Sequence, residues 1–213
     1  MWDFISSESI ASLDKRVSSP AFKRLKNNVD TAHGVLMGLA VVLFLPLGAL
    51  VMRLPGSKNM LWVHAACQIF GLIVLILGFA MGVWTSIIHT EIYTDRHSIL
   101  GTVIVGLFLI QPALGMIHHR NYASKGRRTI WSDLHVYFGR ILLILSIVNG
   151  GIGIQYAANS PNGEIGYGVT AGVIFLVYVG VAGLWYMRRP GKEEEQSGDD
   201  EVTQVEAQQD KSE

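Results

Sequence analysis

Charged side chains are scarce in this sequence, and their scarcity is uneven. Only 16% of the 213 residues are Asp, Glu, Lys or Arg, and they crowd into the two ends and the connections. A soluble domain with one core would spread them over its surface, so that class is excluded. Cysteine occurs once, as Cys67 within an apolar run, which excludes an internal disulfide and a cysteine-based metal site. Acidic and basic residues balance at net charge zero, and nothing in that balance points to a nucleic-acid partner. The opening residues, MWDFISSESIASLDKRVSSP, have no apolar segment of the signal-peptide kind. The first spanning helix is therefore expected to serve for insertion.

What the chain does have is hydrophobic length: half of its residues are apolar, gathered into five runs. The clearest, LWVHAACQIFGLIVLILGFAMGVW at residues 61–84, carries no formal charge. At 1.5 Å per residue it is long enough to cross a hydrocarbon core of roughly 30 Å. The others lie at about residues 32–52, 97–117, 134–157 and 165–187, and the second continues to about residue 88. The expected fold class is all-α: a polytopic membrane protein of five transmembrane helices, four of them forming a core, with the lipid bilayer as its surroundings. Residues 1–29 read as a polar tail in which Phe4, Ile5, Ile10, Leu13 and Val17 can form a short surface-lying amphipathic helix. Residues 30–189 are the membrane domain. Residues 190–213 form an acidic, aromatic-free tail expected to be disordered. Pro112 predicts a kink in the third span.

Five spans put the termini on opposite sides. Nine basic residues, among them Arg53, Arg120, Lys125, Arg127, Arg128 and Arg188, fall on the side of the C-terminus, against six on the other. Positive-inside counting makes the C-terminal side cytoplasmic and the N-terminus external or lumenal.

Four runs open on a histidine: His33, His64, His97 and His135. An ionisable residue inside a membrane helix is costly and usually functional. One such histidine could serve only to hydrogen-bond a neighbouring helix; four at matching positions in consecutive helices are hard to obtain that way. Successive helices run in opposite directions, so His33 and His97 fall on the N-terminal side, and His64 and His135 on the other. In a four-helix bundle the first and third helices can lie diagonally across the core, and so can the second and fourth. Two imidazoles then face each other near each membrane surface, the arrangement that fills both axial positions of a porphyrin iron. The two levels would lie on the order of 20 Å apart. Gly101 and Gly139, four residues after His97 and His135, share their faces and would leave room for a macrocycle. Two imidazoles per level, with no carboxylate inside the runs, are too few for a zinc or non-haem iron shell.

The succession AHGVLMG, WVHAACQIFG, RHSILG, QPALGMIHHR, HVYFGR and NGGIGI resembles the cytochrome b561 family over residues 30–189. It is most similar to the membrane domain that follows a DOMON domain in ferric-chelate-reductase-like proteins. The resemblance implies two b-type haems, with His33 paired to His97 and His64 to His135, and electron transfer across the membrane. Two departures stand out: a short polar tail occupies the place of the DOMON domain, and five spans replace the six of ascorbate-dependent members. No ascorbate-binding motif is evident.

Arg140, deep in the fourth run, can pair with a haem propionate or snorkel as a helix anchor. His89, His118 and His119 read first as interfacial histidines at helix ends. Alternatively His118 and His119, with Arg120, Lys125, Arg127 and Arg128, form a docking patch for an anionic donor. Trp62, Trp84, Trp131 and Trp185 read as aromatic-belt anchors, and the glycine pairs 34/38, 78/82 and 168/172 as helix-packing surfaces. The expected function is a transmembrane relay, or ferric reductase, from a small-molecule or protein donor on the basic side. Its acceptor would be a ferric chelate or redox protein on the other side, in a plasma or internal membrane, with a homodimer open. Intramembrane histidines would also suit a pH-responsive sensory module or a haem-free transporter.

Overall fold

The computed structural model describes residues 18–54, 59–89, 94–157 and 161–188. The expectations for the first seventeen residues and for the tail after Arg188 fall outside them. Five helices account for almost all of the described chain: α1 (Pro20–Val51), α2 (Met60–His89), α3 (Arg96–Lys125), α4 (Ile130–Tyr156) and α5 (Pro161–Met187). All five are long and apolar enough to cross a membrane. There is no strand among the described residues.

Capping chemistry and proline set the helix bounds. Ser19 Oγ accepts the Phe22 N–H at 3.2 Å, with Pro20 in the first turn, so α1 starts well ahead of the apolar run. His33 therefore lies several turns inside its helix instead of at its head. Asp95 caps α3 through the Ser98 N–H at 2.9 Å. Gly126, at φ 63°, ends α3 in the left-handed conformation. That end lies past Lys125, so His118 and His119 stand on the helix, and the connection to α4 is only residues 126–129. Pro46 and Pro112 each lack an N–H and crowd the carbonyl four residues back. At Pro46 the chain responds with a π-helical turn over Leu39–Phe44. At Pro112 it breaks α3 at Leu109 and Ile110, where the sequence predicts a kink. A second π turn, Leu134–Phe138, surrounds His135.

The first four helices form a ring: α1 packs on α2, α2 on α3, α3 on α4, and α4 returns to α1. The diagonals are thus α1 with α3 and α2 with α4, and α5 lies outside against α1 and α4. The ring's centre is a plug of Ala40, Val41, Leu45, Leu75, Ile104, Phe108 and Leu142, all buried. Outward, Phe70, Ile73, Leu77, Leu176 and Val177 stand exposed, a surface that suits lipid and not water. Of the three glycine pairs, Gly78 and Gly82 face α1, whereas a Cβ added at Gly34, Gly38, Gly168 or Gly172 would meet nothing within 4 Å among the described residues.

Candidate haem sites

The apolar plug separates two pairs of imidazoles. His33 of α1 and His97 of α3 have ring centroids 6.0 Å apart with planes at 78°. His64 of α2 and His135 of α4 have centroids 6.3 Å apart at 90°. Both are the diagonal pairs. A metal held axially between two imidazoles needs two bonds of about 2 Å, and roughly 1 Å more from each nitrogen to its ring centre, about 6 Å in all. The donor set and spacing fit an iron that is bound above and below by histidine.

Three of the rings are oriented by main chain. His33 Nδ1 lies 2.8 Å from the Gly78 carbonyl, His64 Nδ1 2.7 Å from Gly48, and His97 Nδ1 3.0 Å from Asn149. A carbonyl only accepts, so each Nδ1 carries the proton and Nε2 is the nitrogen available to a metal. His135 Nδ1 is buried and closes no such bond, although the Gln111 main chain lies near enough to act on it. Among the described residues, no three of His, Cys, Asp and Glu gather as a metal site.

The backbone makes these bonds possible with glycine. In a helix the Cβ of residue i+4 tilts toward the N-terminus and overhangs the carbonyl of residue i. An imidazole reaching that carbonyl needs the overhang removed. Gly82 stands four residues after Gly78, Gly153 four after Asn149, and Gly115 four after Gln111. A methyl group on Gly82 would lie 2.6 Å from His33 Cε1, on Gly153 2.5 Å from His97 Cε1, and on Gly115 3.1 Å from His135 Cε1. For His64 the accepting carbonyl, Gly48, lies in the last turn of α1, where the helix is about to end.

One spacing underlies all four seats. From His64, His97 and His135 the residue whose carbonyl faces the partner helix's histidine lies fourteen positions on: Gly78, Gln111 and Asn149. From His33 it lies fifteen on, at Gly48, because the π turn of α1 inserts one residue. The residue four after each histidine packs beside the accepting position: Met37 by Gly78, Gln68 by Gly48, Gly101 by Asn149 and Gly139 by Gln111. Each of these pairs has one glycine and one larger side chain. The space at Gly101 and Gly139, read from sequence as room for a macrocycle, is therefore bordered by Asn149 Nδ2 at 3.0 Å and Gln111 Oε1 at 3.4 Å from an ideal Cβ. The repeat His-x3-Gly-x9-Gln/Asn-x3-Gly in α3 and α4 was the signal that identifies Gly115, Gly153, Gln111 and Asn149 from sequence.

Arg140 lies on the His135 side of α4, its guanidinium 5.4 Å from the Tyr137 ring centre and its Nε buried without a partner. His118 belongs to the same end of the bundle, and its ring stacks on His135. His119 is exposed, and Arg128 pairs with Asp133 at 2.5 Å. His89 closes α2. At the opposite end, burial would raise the Asp95 carboxyl, but the Ser98 hydroxyl and main-chain N–H groups outweigh it and hold it below the usual carboxylate range.

The family profile of eukaryotic cytochrome b561 matches residues 32–160, the stretch that holds all four histidines. A cytochrome b561 and DOMON domain-containing protein of Arabidopsis thaliana is 31% identical over 80% of this chain and 43% of its own length. A lysosomal membrane ascorbate-dependent ferrireductase of Rattus norvegicus is 28% identical over 75% of this chain and 72% of its own. The human protein of that name is 34% identical over 55% and 51%. The chain thus spans less than half of the Arabidopsis relative. No solved structure matches it. With a matched stretch covering four spanning helices and both imidazole pairs, the chain is an integral membrane protein of the cytochrome b561 family, whose members bind haem b.

Proposed function

We propose that the protein carries electrons across the membrane on two b-type haems, one held by His33 and His97, the other by His64 and His135. The observation that supports this reading most is the presence of two diagonal imidazole pairs, at iron-bridging distance, at opposite ends of one bundle. When bound, haem supplies reversible one-electron reduction at its iron.

The side chains do the rest. Main-chain bonds to Nδ1 at three histidines set the tautomer and raise the basicity of the free nitrogen. Two histidines at each site would hold the iron from both sides, which suits a one-electron relay. The apolar plug keeps water out of the space between the two levels. Arg140, a half-buried cation whose Nε has no hydrogen-bond partner, is suited to a propionate carboxylate.

The face bearing His64 and His135 is rimmed by Arg120, Lys125 and Arg127, which would draw an anionic reductant or an acidic redox protein. The other face carries Asp95 and Glu164 beside Arg96 and suits a cationic or chelated metal acceptor. Relatives named ascorbate-dependent ferrireductase support an ascorbate-like donor and a ferric acceptor. The basic face is assigned to the cytoplasm and the N-terminus to the outside or lumen.

The test uses reconstituted vesicles. Reductant trapped on the basic side should reduce an impermeant ferric chelate on the other side, and vesicles lacking the protein should not. Two haems present with no electron passed under any donor would refute the relay. A colourless preparation would refute haem binding itself and favour a sensory or transport role for the histidines.

A further inference from the structure

The four histidines are not held alike, and we propose that His118 is a positioning residue for His135: by stacking, it fixes the imidazole plane that lacks its main-chain bond. The inference rests on the reading of His135 as an axial ligand. A ligating histidine with Nδ1 bonded to a carbonyl has its ring plane fixed as well as its direction. His33, His64 and His97 have that second restraint. His135 does not. His135 sits within the π turn of α4, Leu134–Phe138. The Gln111 main chain lies near its Nδ1 without closing that bond.

His118 stands where the restraint is missing. Its ring centroid lies 6.0 Å from that of His135, with planes 23° apart, within the range of an offset stack. His118 is itself held, since Ser132 Oγ lies 2.7 Å from its Nδ1. Ser132 is buried, at 1% exposure, and its hydroxyl also accepts the Thr129 N–H at 3.2 Å. The residue that helps to start α4 therefore clamps the end of α3, and through His118 it steadies a ring one turn further along α4. His119, the neighbouring histidine, is exposed and takes no part.

The relative orientation of two axial imidazoles sets the orbital splitting of a low-spin ferric iron. Electron paramagnetic resonance of the oxidised, purified holoprotein therefore reads the ring angle without any turnover. His118→Ala should shift and broaden one low-spin signal, the one removed by His135→Ala, and leave the His33/His97 signal unmoved at an unchanged haem-to-protein ratio. His118→Phe, which keeps a flat ring, should return the signal toward wild type. Ser132→Ala should broaden the same signal to a smaller extent, and this variant decides the matter if His118→Ala sheds the haem.

Three results would overturn the proposal: His118→Ala or the deciding Ser132→Ala leaving both signals as in wild type, movement of the signal that His97→Ala removes, or His118→Phe as altered as His118→Ala. Failure of the underlying reading looks different. It would appear as wild-type protein without haem, or as His135→Ala retaining every signal, and either would defeat both.

Discussion

Gly82→Ala should cost the protein one haem and spare the other. The added methyl would stand 2.6 Å from Cε1 and 2.7 Å from Nδ1 of His33, closer than carbon atoms approach without displacement. The obstructing atoms belong to a rigid ring whose Nδ1 is tied to the Gly78 carbonyl at 2.8 Å, so the ring cannot swing aside and keep that bond. Overpacking of this kind costs about 1–3 kcal/mol, and the lost hydrogen bond about 0.5–1.5 kcal/mol more. Alanine's better helix propensity returns at most about 1 kcal/mol. The balance, on the order of 1–3 kcal/mol, corresponds to roughly a tenfold to hundredfold weaker hold on the haem at His33 and His97. Haem titration of the apoprotein, followed by difference absorbance, measures it. Gly153→Ala should weaken the same haem through His97, and Gly115→Ala should weaken the other more mildly, its contact being 3.1 Å. Gly38→Ala and Gly106→Ala meet nothing within 4 Å and are the controls. Equal affinity for both haems in Gly82→Ala and Gly38→Ala would refute the argument that glycine seats the ligand.

Neutralising Arg120 and Arg127 together should slow reduction by an anionic donor severalfold at low salt and less at high salt, with both haem spectra intact; stopped-flow absorbance over a salt series checks it. Asp95→Ala removes the cap of α3 two residues before His97 and should lower stability by about 0.5–2 kcal/mol, seen as a lower midpoint of thermal haem release in detergent. Protease added to intact cells should spare the connection between α3 and α4 and reach a tag at the N-terminus; the reverse pattern would invert the assigned topology.

The number of spans, the apolar outer surface and the four histidines are legible in sequence because each depends on hydrophobic length or on a residue type that lipid penalises. The partners of those histidines are less legible, since they are main-chain carbonyls that any residue could supply. Their trace is the glycine four positions on, and in α3 and α4 that trace repeats at identical spacing. In α1 that trace is missing, since Met52 stands four after Gly48, and the accepting position itself lies one residue further on, across a π turn that an uninterrupted 3.6-residue period does not anticipate. His118 reads as interfacial while α3 is taken to end with its apolar run near residue 117. The helix in fact continues to Lys125, ended by Gly126, and that extension, with the π turn of α4, brings His118 onto His135. Likewise His33 reads as the head of its helix only because the polar turns before it, capped by Ser19, carry no hydrophobic signal.

The central claim is that each diagonal pair holds one haem. Haem per chain, measured on purified wild type, on the four single histidine-to-alanine variants and on their double variants, tests it most directly. The account predicts two haems in wild type and one in each single variant. His33→Ala with His97→Ala should still retain one, as should His64→Ala with His135→Ala, whereas His33→Ala combined with His64→Ala should retain none. A same-pair double variant that loses both haems, or a cross-pair double that keeps one, would contradict the diagonal assignment.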